Sequence, residues 1–163
     1  MPGEVLPIID INVDCDGWPD ERILFSLTGN ALNAAISTAS LKFVQGSELS
    51  LLLTDDAGIR QLNKTWRNID KPTNVLSFPG RDLEPDDTAG PMLGDIILAA
   101  ETVKREAELE NKPLKHHFSH LIIHGFFHLF GYDHENDEEA AVMETLESRA
   151  LAKLGIGDPY ADG

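Results

Sequence analysis

The chain has 163 residues, enough for one domain with a real core and short for two, so 1–163 is expected to be a single domain. Its 28 acidic residues against 13 basic ones leave a formal net charge of -15, which excludes a general electrostatic grip on polyanions; any nucleic-acid contact must come from a local basic patch. The single cysteine, Cys15, excludes an internal disulfide and a thiolate zinc site and suits a reduced, intracellular setting. Met1-Pro2-Gly3-Glu4 lacks the basic stretch that precedes the apolar run of a signal peptide, and the longest apolar stretch, Leu121 to Gly131, is too short to span a bilayer, so a cytoplasmic protein with no membrane partner is expected.

Val5 to Val13 alternates loosely and is rich in Ile and Val, which predicts a first strand, broken by Asp14-Cys15-Asp16-Gly17. Pro19 and Asp20 open a helix to about Ser40, with apolar side chains at Leu24, Leu27, Leu32 and Ile36. A second strand is expected at Glu48 to Leu53, then a helix capped by Thr54 or Asp55 and running to about Trp66. Asn74 to Phe78 reads as extended. Arg81 to Pro91, with its Asp, Pro, Thr and Gly, reads as a mobile surface loop. Met92 to Ala99 predicts a strand and Ala100 to Glu110 a helix. Another helix should run from Leu114 to about Phe130 and stop at Gly131, a favoured residue just past a helix end. Asn136 with Glu139 forms a capping-box pattern for a last helix to about Leu154. The expected fold class is α+β, a mixed sheet of about four strands packed with about five helices.

All six histidines fall between residues 116 and 134. His124 and His128 are four apart, so on a helix their imidazoles leave one face a turn apart, as a two-point metal clamp does. Gly131 lets the chain leave the helix, and the turn at Tyr132-Asp133 can bring His134 back over that face. Three neutral nitrogens at about 2.0–2.1 Å with one open position describe a catalytic zinc site. His120 is also four from His124, but on a straight helix it stands about 12 Å along the axis from His128, too far to share an ion, and it reads as a helix-face residue behind the ligands. His116 and His117, at the helix start, are expected as solvent-exposed caps. The plain alternative is a histidine-rich helix; spacings of four and six with glycine between the last two argue against it.

His-x-x-x-His-x-x-Gly-x-x-His is also the metzincin peptidase spacing, but those enzymes carry the general-base Glu directly after the first His, where this chain has Gly125. The metal geometry is kept and the peptidase base is lost.

Between Gly58 and Arg81 lie five basic residues (Arg60, Lys64, Arg67, Lys71, Arg81) and one acid, Asp70, a local charge of +4. Beside a metal site this stretch can grip phosphate, with Arg67 as the fork; a solvated helix face is the plainer reading. Asp133 to Glu147 carries seven acids and no Lys or Arg; most are expected to be solvated, with Asp133 or Glu135 placed to orient His134.

The stretch His124-Gly125-Phe126-Phe127-His128-Leu129-Phe130-Gly131-Tyr132-Asp133-His134 resembles the signature of the YbeY endoribonuclease family. Two further stretches match it, Leu62-Asn63-Lys64-Thr65-Trp66-Arg67 continuing through Asp70-Lys71-Pro72-Thr73-Asn74-Val75-Leu76-Ser77-Phe78-Pro79, and Leu93-Gly94-Asp95-Ile96; the tail Leu154-Gly155 with Asp158-Pro159-Tyr160 also fits. Trp66 departs from the familiar Tyr, and the first 45 or so residues are not distinctive. The resemblance implies a zincin-like fold, with the Met92 to Ala99 strand bordering the cleft. It implies a bacterial, single-strand-specific metallo-endoribonuclease acting in 16S rRNA 3′-end maturation and ribosome quality control. Its partners would be single-stranded rRNA and the small ribosomal subunit, with no DNA. One zinc ion would be held by His124, His128 and His134, and the family's functionally important arginine falls on Arg67. Asp133, hydroxide on the metal and the substrate's own 2′-OH are all open as base or nucleophile. The rival readings are a zinc-dependent peptidase or amide hydrolase and a non-catalytic ribosome-assembly factor.

Overall fold

The computed structural model describes residues 6–160. In chain order its elements are β1 (Ile8–Val13), α1 (Glu21–Ala39), β2 (Lys42–Phe43), β3 (Glu48–Thr54), α2 (Asp56–Arg67), β4 (Val75–Pro79), β5 (Thr88–Ala89), β6 (Met92–Ala99), α3 (Ala100–Leu109), α4 (Leu114–Leu129) and α5 (Asp137–Lys153). The expected helices and strands are all present. The first strand starts at Ile8, and Val5 lies outside the described residues. The expected loop from Arg81 to Pro91 is not structureless: Thr88 and Ala89 pair with Lys42 and Phe43, and Arg81 Nη2 donates to the Thr88 carbonyl at 2.6 Å.

Four strands form the main sheet in the order β1-β3-β6-β4. The first three are parallel; β4 runs antiparallel to β6 and forms one edge of the sheet. Side chains alternate across it. Leu49, Leu51 and Leu53 of β3, with Ile96 and Leu98 of β6, point into the larger core beneath α1, α4 and α5. Ile97 and Ala99 point the other way, joining Leu76 of β4 and Ile59 of α2 in a smaller cluster. The run Ile96-Ile97-Leu98 is continuously apolar because both faces of β6 are covered there.

Three helices start on side-chain caps: Asn136 as expected, Asp55 from the pair Thr54 or Asp55, and Asp20 at the expected helix opening. Asp20 accepts from Arg22 N, Asp55 from Gly58 N and Asn136 from Glu139 N, each at 2.8 Å. Helix α4 is the central element, with Phe118, Leu121, Ile122, Ile123, Phe126, Phe127 and Leu129 all buried. It packs against α1, α3, α5 and the edge strand β4. Among the described residues no helix is long and apolar enough to cross a membrane.

Candidate metal centre

His124 and His128 stand one turn apart at the C-terminal end of α4. Beyond the helix, Gly131 takes φ +96°, a backbone region that side chains other than glycine's rarely enter, and a Cβ there would lie 2.3 Å from the Leu83 carbonyl oxygen. The turn at Gly131 sends His134 back over the helix end. Its ring stacks on His124 (centroids 5.7 Å apart, 25° between planes) and meets His128 edge-on at 5.1 Å. One nitrogen from each of the three rings falls within 4.8 Å of the others. Two nitrogens on one tetrahedral ion at about 2.0–2.1 Å would lie roughly 3.3–3.4 Å apart, and His124 Nε2 stands 3.1 Å from His128 Nε2. The donor set, and the spacing of this pair, fit a metal ion of that size. His134 is exposed, which leaves one side of the cluster open to a substrate.

Electrostatics prepare the same rings. Burial, then the neighbouring His124 and His134, pull the His128 imidazole down to about 4, so it stays neutral and able to ligate at ordinary pH. Behind His124 lies Glu147 of α5, only 1% exposed. Its Oε2 accepts from His124 Nδ1 at 2.7 Å, and its Oε1 from His120 Nε2 at 2.8 Å and from the Tyr160 hydroxyl. Burial alone would raise this carboxyl; the hydrogen bonds from His120 and His124, the charge on His124 and the bond from Tyr160 outweigh it and hold Glu147 at about 2. Burial and the Glu147 charge push the Tyr160 phenol well above its usual range, so it stays a donor. An ionised carboxylate only accepts, so His124 Nδ1 donates to it, and Nε2 is the nitrogen that faces the cluster.

The histidines sit in a cleft of about 510 Å³ shared with Arg67 from the end of α2, with Val75 and Ser77 of β4, and with Asp82 and Asp133. Arg67 is exposed, and among the described residues no carboxylate lies within 4.0 Å of its guanidinium. Arg60, by contrast, is spent on Asp70 at 2.8 Å. The basic stretch therefore divides into a paired arginine and one left open toward the cleft. Gly125 packs against the sheet: a Cβ there would lie 2.8 Å from Ser77 Oγ and 3.2 Å from an Ile96 methyl, so a side chain at this position would have to displace Ser77 and press on Ile96.

Several expectations change. The strand bordering the cleft is β4, not β6, because β4 lies outside β6 and forms the edge facing α4. His117 is not a solvent-exposed cap; it is 3% exposed and bonds Glu106 at 2.8 Å. His120 stands behind the cluster, as expected, bound to Glu147. The carboxylate that meets a ring of the triad is neither Asp133 nor Glu135 but Glu147; Asp133 instead accepts from the His134 backbone N–H at 2.8 Å. A sequence signal for Glu147 existed: it falls between Met143 and Ala150-Leu151 on the apolar stripe of α5, where a solvated acid does not belong. Trp66 and Phe78 line a groove on the opposite face of the sheet, away from the histidines.

A mixed sheet with an antiparallel edge strand beside a His-x-x-x-His helix, completed by a histidine beyond a glycine turn, defines a zincin-like α+β domain. The family model described as Endoribonuclease YbeY matches residues 21–155. A protein of Bradyrhizobium sp. (strain BTAi1) named Endoribonuclease YbeY is 50% identical, covering 99% of this chain and 97% of its own. A Bartonella henselae protein of the same name is 53% identical over 94% of this chain and 97% of its own. The solution structure of TM1509 from Thermotoga maritima shares the fold with a TM-score of 0.56 at 22% identity, over 95% of this chain and 100% of that one. The chain belongs to the endoribonuclease YbeY family.

Proposed function

We propose that this chain is a one-domain, cytoplasmic, zinc-dependent endoribonuclease that cuts single-stranded RNA, acting on the small ribosomal subunit in 16S rRNA 3′-end maturation and ribosome quality control. The observation that carries this reading is one cleft holding both the three-histidine cluster and Arg67, which has no carboxylate partner among the described residues, within a chain whose relatives are named endoribonucleases. His124, His128 and His134 would hold the ion. When bound, zinc supplies a Lewis acid for a phosphoryl oxygen and lowers the pKa of water.

The chain's own residues do the rest. Arg67 meets the phosphate with a planar two-pronged donor and stabilises the charge that grows on it as the bond to the leaving oxygen breaks. Two carboxylates line the cleft, Asp82 and Asp133, and either can take the proton that the attacking oxygen loses. Ser77, on the edge strand, adds a hydroxyl donor along the wall. The peptidase reading lacks a base, because Gly125 stands where the glutamate would be. A three-histidine set with an open side suits catalysis better than a closed structural site.

The test is a digest of single-stranded RNA, duplex RNA and casein, with and without a chelator. Cleavage of the single strand alone, stopped by chelator and restored by zinc, is the expected result. Chelator-insensitive RNA cleavage, or cleavage of casein, overturns it.

A further inference from the structure

Glu147 presents an energetic puzzle that the triad alone does not explain. A carboxylate 1% exposed in the packing between α4 and α5 loses its hydration, and an apolar residue of similar size would fill the space at lower cost. What surrounds it is not a general polar pocket but three donors aimed at two oxygens. One of the three belongs to the metal cluster: His124 Nδ1, at 2.7 Å. The other two serve the carboxylate. His120 reaches it from one turn before His124 on the same helix, while its own Nδ1 is buried with no partner among the described residues. Tyr160 reaches it from the far end of the chain.

The route by which Tyr160 arrives is built. Helix α5 ends at Lys153, and Gly155 turns the chain with φ +75°. The chain then runs back along the helix. Asp158 Oδ1 accepts from Ser148 Oγ at 2.7 Å and from the Tyr160 backbone N–H at 2.8 Å, which pins the strap beside the turn of α5 that carries Glu147. The Tyr160 ring also meets His120 edge-on, centroids 5.6 Å apart. The tail, α5 and the middle of α4 thus converge on a single carboxylate whose one contact with the triad is His124.

We infer that Glu147, steadied by Tyr160 and His120, is a positioning residue: it fixes His124 with the proton on Nδ1 and Nε2 turned to the ion, and so sets the affinity of the triad for metal. The inference rests on the metal reading proposed above and adds to it that the affinity is governed from α5 and the C-terminal strap. A ligating imidazole whose other nitrogen is held by a carboxylate is oriented before the ion arrives and is a stronger base; loss of such a partner typically weakens metal binding by about 10–100-fold.

The test uses the full chain, stripped of metal, with zinc affinity measured by competition against a chromophoric chelator for the wild type, Glu147→Gln, Tyr160→Phe and Glu144→Gln. Circular dichroism confirms matched folds. Long-range proton–nitrogen spectra of the metal-free protein report which His124 nitrogen carries the proton, a readout that a merely structural carboxylate would not move. The expected results are a loss of about 10–100-fold for Glu147→Gln, a smaller loss of up to about tenfold for Tyr160→Phe, and no change for the exposed Glu144→Gln. The wild type should show His124 as the Nδ1–H form, and Glu147→Gln a mixture of both forms. Should Glu147→Gln fail to fold, Tyr160→Phe and the wild-type spectrum decide the matter. Zinc affinities within about twofold of wild type in the folded variants, or a wild-type His124 protonated on Nε2, overturn the inference. Failure of the metal reading itself looks different: the wild type would then take up no stoichiometric zinc.

Discussion

Two groups of side chains meet at His124, and they are assembled in opposite ways. The triad comes from one window, residues 124–134, and its geometry follows from the helical period plus one glycine turn. The support behind it joins residues as far apart as His120 and Tyr160, brought together by the packing of α5 on α4 and by the returning tail. In the proposed reading the first group creates a site and the second orients it. Losing a member of the first should therefore abolish binding, and losing a member of the second should only weaken it.

The largest effect is expected at the triad. His128→Ala removes one of three donors and should bring RNA cleavage to background together with loss of bound metal, read by metal analysis and a ribonuclease assay on the same sample. Arg67 belongs to neither group. Arg67→Ala should lower cleavage by roughly 10²–10³-fold, the size of effect seen when one charge-stabilising donor is removed from an active site, while zinc content stays at the wild-type level. If zinc is lost as well, Arg67 supports the fold of the cleft and not the phosphate.

Gly131→Ala tests the turn that joins His134 to the helix. The φ of +96° and the nearby Leu83 carbonyl leave no room for a methyl, so a destabilisation of about 1–3 kcal/mol is expected by chemical denaturation, with weaker zinc binding as His134 shifts. Unchanged stability would mean that the turn relaxes freely and does not fix His134. A gentler effect concerns salt. If Lys64, Arg67 and Lys71 grip a single strand, the logarithm of affinity should fall with the logarithm of salt concentration at a slope of roughly -0.7 per phosphate contacted, and Arg67→Ala should remove about one contact. A flat response would return the stretch to a solvated helix face.

The smallest effect is at the paired arginine. The hydrogen bond from Arg60, with its charge, holds Asp70 below its ordinary 3.8. That pair contributes its stability fully above the unfolded carboxylate value and loses it as pH falls through the lower folded one. Asp70→Asn should slightly flatten the acid limb of stability against pH, measured as denaturation midpoints between about pH 5 and 3, and should leave cleavage at neutral pH unchanged.

What sequence made legible follows the same division. Helix α4, its glycine stop and the His124, His128 and His134 cluster are visible because each depends on spacings of a few residues. The Asn136 cap, and a cap at Thr54 or Asp55 that the structure assigns to Asp55, are visible for the same reason. Glu147 was hidden among seven acids because its burial depends on which face α5 turns to α4, a choice made by tertiary packing. The burial of His117 is not legible because Glu106, its partner, lies on a different helix. Which strand borders the cleft is not legible either, because sheet order, with β4 outside β6, is not a property of either strand's own sequence.

Native mass spectrometry of the zinc-loaded wild type beside His134→Ala is the decisive measurement, since His134 is the proposed ligand that only the turn can supply. One zinc ion per wild-type chain and none retained by the variant is the result that follows from a converging triad. A wild type that binds no ion after exposure to zinc, or a His134→Ala variant that keeps one ion with undiminished affinity, would contradict it.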